Sequence, residues 1–509
     1  MTLRLRNTLT RSVEPVTVGD GVRLRMYSCG PTVYRFAHVG NLRTFLLADL
    51  IRRVVLYHGT PVLHVHNITD VGHLRDERFD RGEDRMLVAA GLEHKSPAEI
   101  ADAYEAAFHA DAALLNLLPA HVFPRATEHI PDMIELAERL EDAGHAYATS
   151  EGNVYYSVAS FPSYGALSGN TLHALRAGHR GDVDPDKREP ADFALWKAAG
   201  PGRLLKWPTP RWGEGSPGWH LECSAMAARH LGSRFDVHTG GIDNVFPHHE
   251  AEIAQSAPIG GGLPSRLWVH GAFLSVGGRK MAKSAGNIER IADVAGRGID
   301  PLAFRYLCLT SRYRHKLEYT DESLAGAAAG LASLRVAIAT LGPAPDAGPW
   351  VAPAALRAGA APARPTGTVD GIVGNGDGSG DALSDRAHGP SAPLSRAGRA
   401  LHERFTAALD DDLDLPTALS VVRRIVRADL DANERRWLAL DADIVLGLDL
   451  DRPAAKDIEV PADIRAALHR RAVARRAGDF AAADRLRDDL AELGYAITDE
   501  PDGQTVRRI

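Results

Sequence analysis

Arg23-Leu-Arg-Met-Tyr-Ser-Cys29, the apolar stretch 42–57, and Pro61-Val-Leu-His-Val-His66 follow one another near the N-terminus. The first segment alternates polar and apolar side chains, as a half-buried strand does. Gly30-Pro31 breaks it. The apolar stretch suits a mostly buried helix, Gly59-Thr60 ends that helix, and residues 61–66 read as a second strand. Strand, loop, helix and strand in this order form the βαβ unit of a parallel sheet, so the spacing predicts an α/β fold. The loop before the helix carries His38-Val-Gly40-Asn41. A helix N-terminus offers unpaired N–H groups and a positive dipole end, which suit a phosphate. Gly40 lets a ligand approach the backbone, and His38 and Asn41 can donate hydrogen bonds to it. An ordinary loop with a surface histidine fits the same four residues.

Length and composition bound what surrounds this unit. At 509 residues the chain is too long for one core, and more than one domain is expected. An apolar content of 45% and a charged content of 25% are those of a globular protein. The net charge of −7 gives no global attraction to nucleic acid, so any such binding needs a local basic face. Three cysteines argue against a disulfide framework and for a reducing compartment. No window reads as the run of about 20 apolar residues that spans a bilayer. The polar, basic residues 1–11 do not form a secretory signal, and a cytoplasmic location without a membrane partner is expected.

Beyond the first unit, amphipathic helices are predicted over 97–118 and 126–143, the second with Ile130, Met133, Ile134, Ala137 and Leu140 on one face. They read as an insertion between halves of the sheet. Strands are predicted over 153–158, 234–238 and 266–270, and helices over 300–311 and 321–341. Residues 342–394 are dominated by Ala, Gly, Pro, Asp and Ser, with Gly374-Asn-Gly-Asp-Gly-Ser-Gly380 as the extreme, and read as a disordered insert. Helical periodicity resumes over 396–409 and 416–430, the latter with Leu419, Val422, Ile425 and Val426 on one face. The tail 461–494 reads as a helical pair broken near Gly478, carrying Arg465, Arg470, Arg471, Arg475, Arg476, Arg485 and Arg487. A basic helical tail on an acidic chain is a candidate nucleic-acid face, with a plain solvated helix as the rival reading.

Metal-ligating residue types concentrate between Gly218 and Ser256. Pro247 can open a helix, on which His248 and Glu252, four apart, share a face. His249 points roughly 100° away on such a helix. With Cys223 a short fold away, this is a partial zinc site that wants another soft ligand. Cys29, just before Gly30-Pro31, is better placed for that than Cys308. The cysteines form no C-x-x-C pair, and a buried free cysteine is ordinarily a small apolar residue. Spacing alone does not choose between His248 and His249. Further on, Gly277-Gly-Arg-Lys280-Met-Ala-Lys283-Ser284-Ala-Gly-Asn287 is a cationic loop able to meet phosphates, or a solvated basic turn.

The order of these motifs is more specific than any one of them. Cys29-Gly-Pro-Thr-Val-Tyr34, His38-Val-Gly-Asn41, Asn67-Ile-Thr-Asp70, Asp192-Phe-Ala-Leu-Trp-Lys197, Gly218-Trp-His-Leu-Glu-Cys-Ser-Ala-Met226, Phe246-Pro-His-His-Glu250 and Lys280-Met-Ala-Lys-Ser284 closely resemble the cysteinyl-tRNA synthetases, a class I aminoacyl-tRNA synthetase family. The resemblance resumes at Phe405-Thr-Ala-Ala-Leu-Asp-Asp-Asp412 and in the tail. It implies a Rossmann-type parallel-sheet catalytic domain over 1–320, with a connective insertion at about 97–200, and a connecting helix over 321–341. After the insert 342–394 it implies an all-α tRNA-binding bundle over 395–452 and an anticodon-arm-binding domain over 453–509. It also implies one zinc ion on Cys29, Cys223, His248 and Glu252. His38, Asn41, Lys280 and Lys283 fall on catalytic positions of the family, and with Gly40 on its ATP-binding positions; Thr69 and Trp219 fall beside the substrate.

The reaction so implied joins L-cysteine to the terminal adenosine of tRNA(Cys) through cysteinyl-adenylate, consuming ATP with Mg2+, on a monomeric enzyme. The cysteine carboxylate attacks the α-phosphate, a step that depends on placement and charge stabilisation. Zinc would take the substrate thiolate as a soft ligand, which a serine hydroxyl matches poorly. Ala282 stands where the family usually has serine, Gly72-His73-Leu74 where aspartates and a lysine are typical, and Val506 where tryptophan is usual. Two other readings are a paralogue that passes cysteine to an amino sugar and a tRNA-binding regulator without activity. The basic tail argues against the first, and the intact zinc and lysine positions argue against the second.

Overall fold

The computed structural model describes residues 2–72, 74–76, 81–171, 186–200, 203–276, 279–280, 289–342, 394–452, 461–476, 479–493, 495–500 and 503–508. Its centre is the predicted βαβ unit. Leu24–Ser28 forms a strand (β1), Val39–Tyr57 a helix (α1) and Val62–His66 a second strand (β2). Leu42, Leu46, Leu50, Ile51 and Val54 of α1 are all buried, as expected of a helix that is apolar nearly all round. The second half of the sheet comes from Phe235–Gly241 (β3) and Ser265–Gly271 (β4). The helix Trp219–Leu231 (α2) leads into β3, and Glu250–Gly260 (α3) links β3 to β4.

All pairings in this sheet are parallel, in the order β4-β3-β1-β2. The chain therefore builds outward from β1 to β2 on one side, then from β3 to β4 on the other. The order reverses between β1 and β3, and in open α/β sheets the crevice beyond the carboxyl ends at that point is where ligands bind. Cys29, Gly241 and Gly271 lie at those ends.

Between β2 and β3 an antiparallel sheet runs in the order Trp207–Thr209, Gly213–Pro217, Phe193–Ala198, Val154–Tyr156 and Ala146–Ala148. Trp196, Tyr156 and Leu195 of this sheet join Tyr27, Met226 and Phe235 in one buried cluster. An N-terminal hairpin, Arg4–Asn7 with Ser12–Pro15, flanks β4, where the Asn7 side chain donates to the Arg266 carbonyl at 3.1 Å. After the sheet come the helices Leu302–Leu309, Asp321–Ala339, Arg396–Asp410, Leu415–Ile425 and Ala432–Leu446. Arg305, fully buried, locks them to α1: its guanidinium donates to Asp49 Oδ2 at 2.7 Å and to the Leu446 carbonyl at 2.5 Å.

By contacts the chain divides into Met1–Leu450 and Asp451–Ile509. The second unit has its own small core of Ile464, Ala467, Leu468, Leu490 and Tyr495. Its helices Ala462–Arg476 and Phe480–Glu492 are followed by a hairpin, Tyr495–Glu500 with Gly503–Arg508, that the helical reading of the tail did not contain.

Several element boundaries differ from expectation for local reasons. The helix predicted over 97–118 is Pro97–Leu114, because Asn116 is left-handed (φ 56°) and its side chain donates to the Gly447 carbonyl. The helix predicted over 126–143 begins as a tight turn, Ala126–His129, before Ile130–Asp142, where Pro131 removes an N–H from the first turn. Against the expectation that no window would qualify, the alanine-rich helix Asp321–Ala339 is long and apolar enough, by length and composition, to cross a membrane. Its stripe of Leu324, Ala327, Leu331, Leu334 and Ile338 is nonetheless buried within the protein, and the helix packs on Leu302–Leu309. The insert at 343–393 lies outside the described residues.

Candidate metal and nucleotide site

Each donor of the predicted metal cluster sits at the crevice for a local reason. Cys29 ends β1, with its N–H donating to the Thr239 carbonyl of β3 at 3.2 Å. Gly30 next to it must be glycine, since a Cβ there would lie 1.6 Å from the Asn67 carbonyl oxygen. Cys223 lies on α2, one turn after Trp219. His248 and His249 lie in the turn Val245–His249, where Phe246 is extended and the chain then runs helically into α3 with Glu252 in its first turn. All of these donors are buried.

The distances describe a shared centre. Cys29 Sγ is 3.9 Å from Cys223 Sγ and 3.8 Å from Glu252 Oε1. His248 Nε2 is 3.4 Å from Cys223 Sγ and 3.1 Å from Glu252 Oε1. A tetrahedral zinc with bonds of about 2.3 Å to sulfur and about 2.0 Å to nitrogen or oxygen needs ligand–ligand edges of roughly 3.3–3.8 Å. The donor set fits a metal ion in chemistry and in size.

His249 comes just as close from the other side. Its Nε2 is 3.2 Å from Cys29 Sγ and 3.9 Å from Glu252 Oε1. A second grouping, Cys29, His238, His249 and Glu252, therefore also brings its donor atoms within 4.8 Å of one another. The two groupings share Cys29 and Glu252, and only the first contains both thiols. Around them lies a shell of imidazoles: His220 Nδ1 is 2.9 Å from His248 Nδ1, His238 Nε2 is 2.8 Å from Glu252 Oε2, and His270 Nε2 is 2.7 Å from His249 Nδ1. Trp268 stacks on His238 with ring centroids 4.6 Å apart.

Sequence reading named neither His238 nor His270 as site residues. The signal was present, because both histidines lie near the carboxyl ends of parallel strands, where ligands gather.

The protonation states follow from burial. Burial first, then the neighbouring Cys223 and Glu252, push the Cys29 thiol well above its usual range. Cys223 is pulled down by its contact with Cys29, but burial and the carboxylates of Glu252 and Glu222 outweigh that and leave it raised. His249 is held well below its usual value by burial and then by His238, His270, His248 and His220. Burial and His238 bring His270 down to about 3. His249 and His270 are thus kept neutral, the form that ligates metals, while the thiols need a cation to ionise.

Cys29 opens onto a cleft of about 530 Å³ that reaches Trp219, His38, Gly40, Asn41, Gly241 and Gly271. At its far end His38 caps α1: His38 Nδ1 accepts from the Asn41 N–H, and Asn41 Oδ1 accepts from the His38 N–H, both at 3.2 Å. Trp219 lies against His248 with ring centroids 4.7 Å apart. Thr69 is buried behind the cleft and donates to Glu222 Oε2 at 3.0 Å. Lys280 belongs to the short strand Arg279–Lys280, paired with the strand Leu274–Val276 whose first residue lines the cleft. Lys283, Ala282 and His73 lie outside the described residues, and Val506 pairs with Ile497 in the C-terminal hairpin.

Comparison with known proteins adds an independent line. Residues 15–329 match the family of class I (C) tRNA synthetase catalytic domains, and residues 457–507 match the cysteinyl-tRNA ligase anticodon binding domain. The chain is 38% identical to the cysteine–tRNA ligase of Opitutus terrae over 99% of both chains. It is 39% identical to cysteine–tRNA ligase 1 of Burkholderia lata over 99% of this chain and 96% of that protein. It is 37% identical to the cysteine–tRNA ligase of Thermus thermophilus over 99% of this chain and 98% of that one. Among solved structures, a Mycobacterium tuberculosis methionyl-tRNA synthetase in complex with methionyl-adenylate superimposes with a TM-score of 0.51 at 14% identity, covering 84% of this chain and 90% of that one. At that identity the likeness concerns the fold.

Proposed function

This chain belongs to the cysteine–tRNA ligase family of class I aminoacyl-tRNA synthetases, and we propose that a single cleft carries its reaction, from the thiol-binding end at Cys29 to the phosphate-binding end at α1. The family's activity joins cysteine to tRNA at the expense of ATP. The full-length match and the anticodon-binding domain leave the amino-sugar ligase reading without support. The observation that carries the proposal is that Cys29, Trp219, His38, Gly40 and Asn41 all line the same cleft.

In this reading Cys29, Cys223, His248 and Glu252 hold zinc. A zinc ion there would offer the substrate sulfur a soft partner that serine does not match. Trp219 and Thr69 bound the amino-acid position. The cysteine carboxylate then faces the nucleotide, whose phosphates lie against the N-terminus of α1, with His38 and Asn41 as donors and Gly40 admitting the close approach. Attack on the α-phosphate gives cysteinyl-adenylate, and Lys280 and Lys283 stabilise the departing pyrophosphate with Mg2+. A hydroxyl of the terminal ribose of tRNA(Cys) then takes the aminoacyl group as the acyl–phosphate bond breaks and AMP leaves. The C-terminal unit, with arginines such as Arg465, Arg470 and Arg475 on its helices, serves the anticodon arm. The protein acts as a cytoplasmic monomer without a membrane partner.

Cysteine-dependent pyrophosphate exchange, with and without tRNA, followed by a cysteine-acceptor assay on total tRNA, tests the activity. Exchange without acceptor activity would sink the tRNA assignment. For the metal, a cobalt-substituted protein should gain thiolate-to-metal absorption on adding cysteine and not serine. A spectrum indifferent to saturating cysteine would reduce the ion to a structural clip.

A further inference from the structure

Away from the cleft, two further histidines face each other. His129 ends the tight turn Ala126–His129 that leads into the helix Ile130–Asp142, and His230 lies in the last turn of α2. Their Nε2 atoms are 3.1 Å apart. Behind His129, Asp132 in the first turn of its helix meets the other ring nitrogen, with Oδ2 2.8 Å from Nδ1. That carboxylate holds the proton of His129 on Nδ1 and leaves the Nε2 lone pair facing His230. A carboxylate behind an imidazole is also how metal-ligating histidines are commonly oriented.

The His230 ring has two tautomers open to it, because its Nδ1 has no hydrogen-bond partner. With the proton on Nε2 it donates to His129, and the pair is an ordinary N–H···N bond. With the proton on Nδ1, both Nε2 lone pairs converge and need a cation between them. The geometry suits the second. Two imidazoles on one ion, with bonds of about 2.0–2.1 Å and angles of about 90–110°, keep their nitrogens roughly 2.9–3.4 Å apart. The ring centroids are only 4.9 Å apart and the planes cross at 77°, so the nitrogens do not meet head-on as a straight N–H···N bond would have them. Burial first, then His129, bring His230 down to about 4, so near neutral pH no proton competes with a metal for this imidazole.

We infer that His129 and His230 form a divalent-metal site separate from the thiol cluster at Cys29, with Asp132 orienting His129 and water completing the coordination. Imidazole suits ions such as Zn2+, Ni2+ and Cu2+, and not Mg2+, which is held by oxygen. The ion pins the start of the helix Ile130–Asp142 to α2, on which Cys223 lies two turns before His230. It therefore steadies the helix that presents a thiol of the first cluster. Neither histidine lines the catalytic cleft.

The test uses Zn2+ alone, titrated calorimetrically into the full-length zinc-loaded protein after dialysis. One further ion should bind with a Kd of about 10 µM, the scale of a site with only two protein ligands. His230→Gln and His129→Gln should each weaken it by about tenfold or more, and Asp132→Asn by a similar factor through loss of the group that orients His129, while pyrophosphate exchange stays within about twofold. Should the variants not fold, a crystal of the unaltered protein soaked in Zn2+ decides: an anomalous peak about 2 Å from both Nε2 atoms is expected. No further ion up to about 1 mM, binding left unchanged by His230→Gln, or displacement of the ion by about 10 mM Mg2+ would overturn the assignment.

Discussion

Glu252, which with Cys29 belongs to both metal groupings, turns one carboxylate oxygen toward Cys29 and His248 and bonds the other to His238. If the ion reads the substrate sulfur, Glu252→Ala should raise the cysteine requirement by about tenfold or more, on the scale of lost outer and inner ligands, and leave the ATP requirement nearly unchanged. Initial-rate kinetics in pyrophosphate exchange would show equal increases for both substrates if that is wrong. His248→Ala should strip the metal, whereas His249→Ala should retain most of it, because only His248 stands beside both Cys223 and Glu252. Metal analysis after dialysis checks this, and equal loss would move the ion to the grouping with His238 and His249. The spacing of His248 and Glu252 was legible because it is a property of one helix. The nearness of His249 to Cys29 was not. It arises because Cys29, at the end of β1, and His270, on β4, converge on the same ring.

At the level of elements, α1 joins two tasks: its first turn faces the cleft, and its middle anchors the helical half. Burial alone would raise Asp49, but the guanidinium groups of Arg53 and Arg305 outweigh it and hold the carboxylate below its ordinary value. Arg53 Nε donates to Asp49 Oδ2 at 2.9 Å. Asp49→Ala should cost about 3–5 kcal/mol, because it leaves buried guanidinium groups without their counter-charge. Urea unfolding would read this, and a loss below about 1 kcal/mol would show that the carbonyl acceptors suffice. The pH dependence has a definite sign: a depressed carboxylate contributes stability above its unfolded value, and that contribution is lost as pH falls through the folded one. The Asp49 contribution should therefore be complete at neutral pH and vanish only in acid, and the variant should lose stability less steeply there than the parent. The strands and α1 were legible from period and turn residues. The antiparallel sheet between β2 and β3 was not read in full, because strands such as Ala146–Ala148 and Trp207–Thr209 are too short to show a period.

At the scale of the whole molecule, the insert and the tail are the parts that catalysis at the cleft should tolerate losing. The flanks of the insert are tied to a single helix: Arg436 donates to the Gly342 carbonyl at 2.7 Å, and the Ser395 N–H donates to Glu434 Oε1 at 2.7 Å. A short Gly/Ser linker in place of residues 344–393 should hence span the gap and leave aminoacylation within about threefold, since loop-closure entropy changes only logarithmically with length. Loss of folding or of tRNA affinity in that deletion would show the insert to be functional. The tail is a unit with its own core, and residues 1–450 keep every donor of the metal cluster and every lining residue of the cleft. Truncation after Leu450 should leave cysteine-dependent exchange within about twofold. It should weaken tRNA binding by about tenfold or more and flatten its dependence on salt, because fewer phosphates are then neutralised by arginines such as Arg465, Arg470 and Arg475. Filter binding across a salt series and exchange kinetics on the same preparation decide the matter. If exchange collapses in a truncated protein that remains folded, the cleft depends on the tail and adenylate formation is not confined to the first unit.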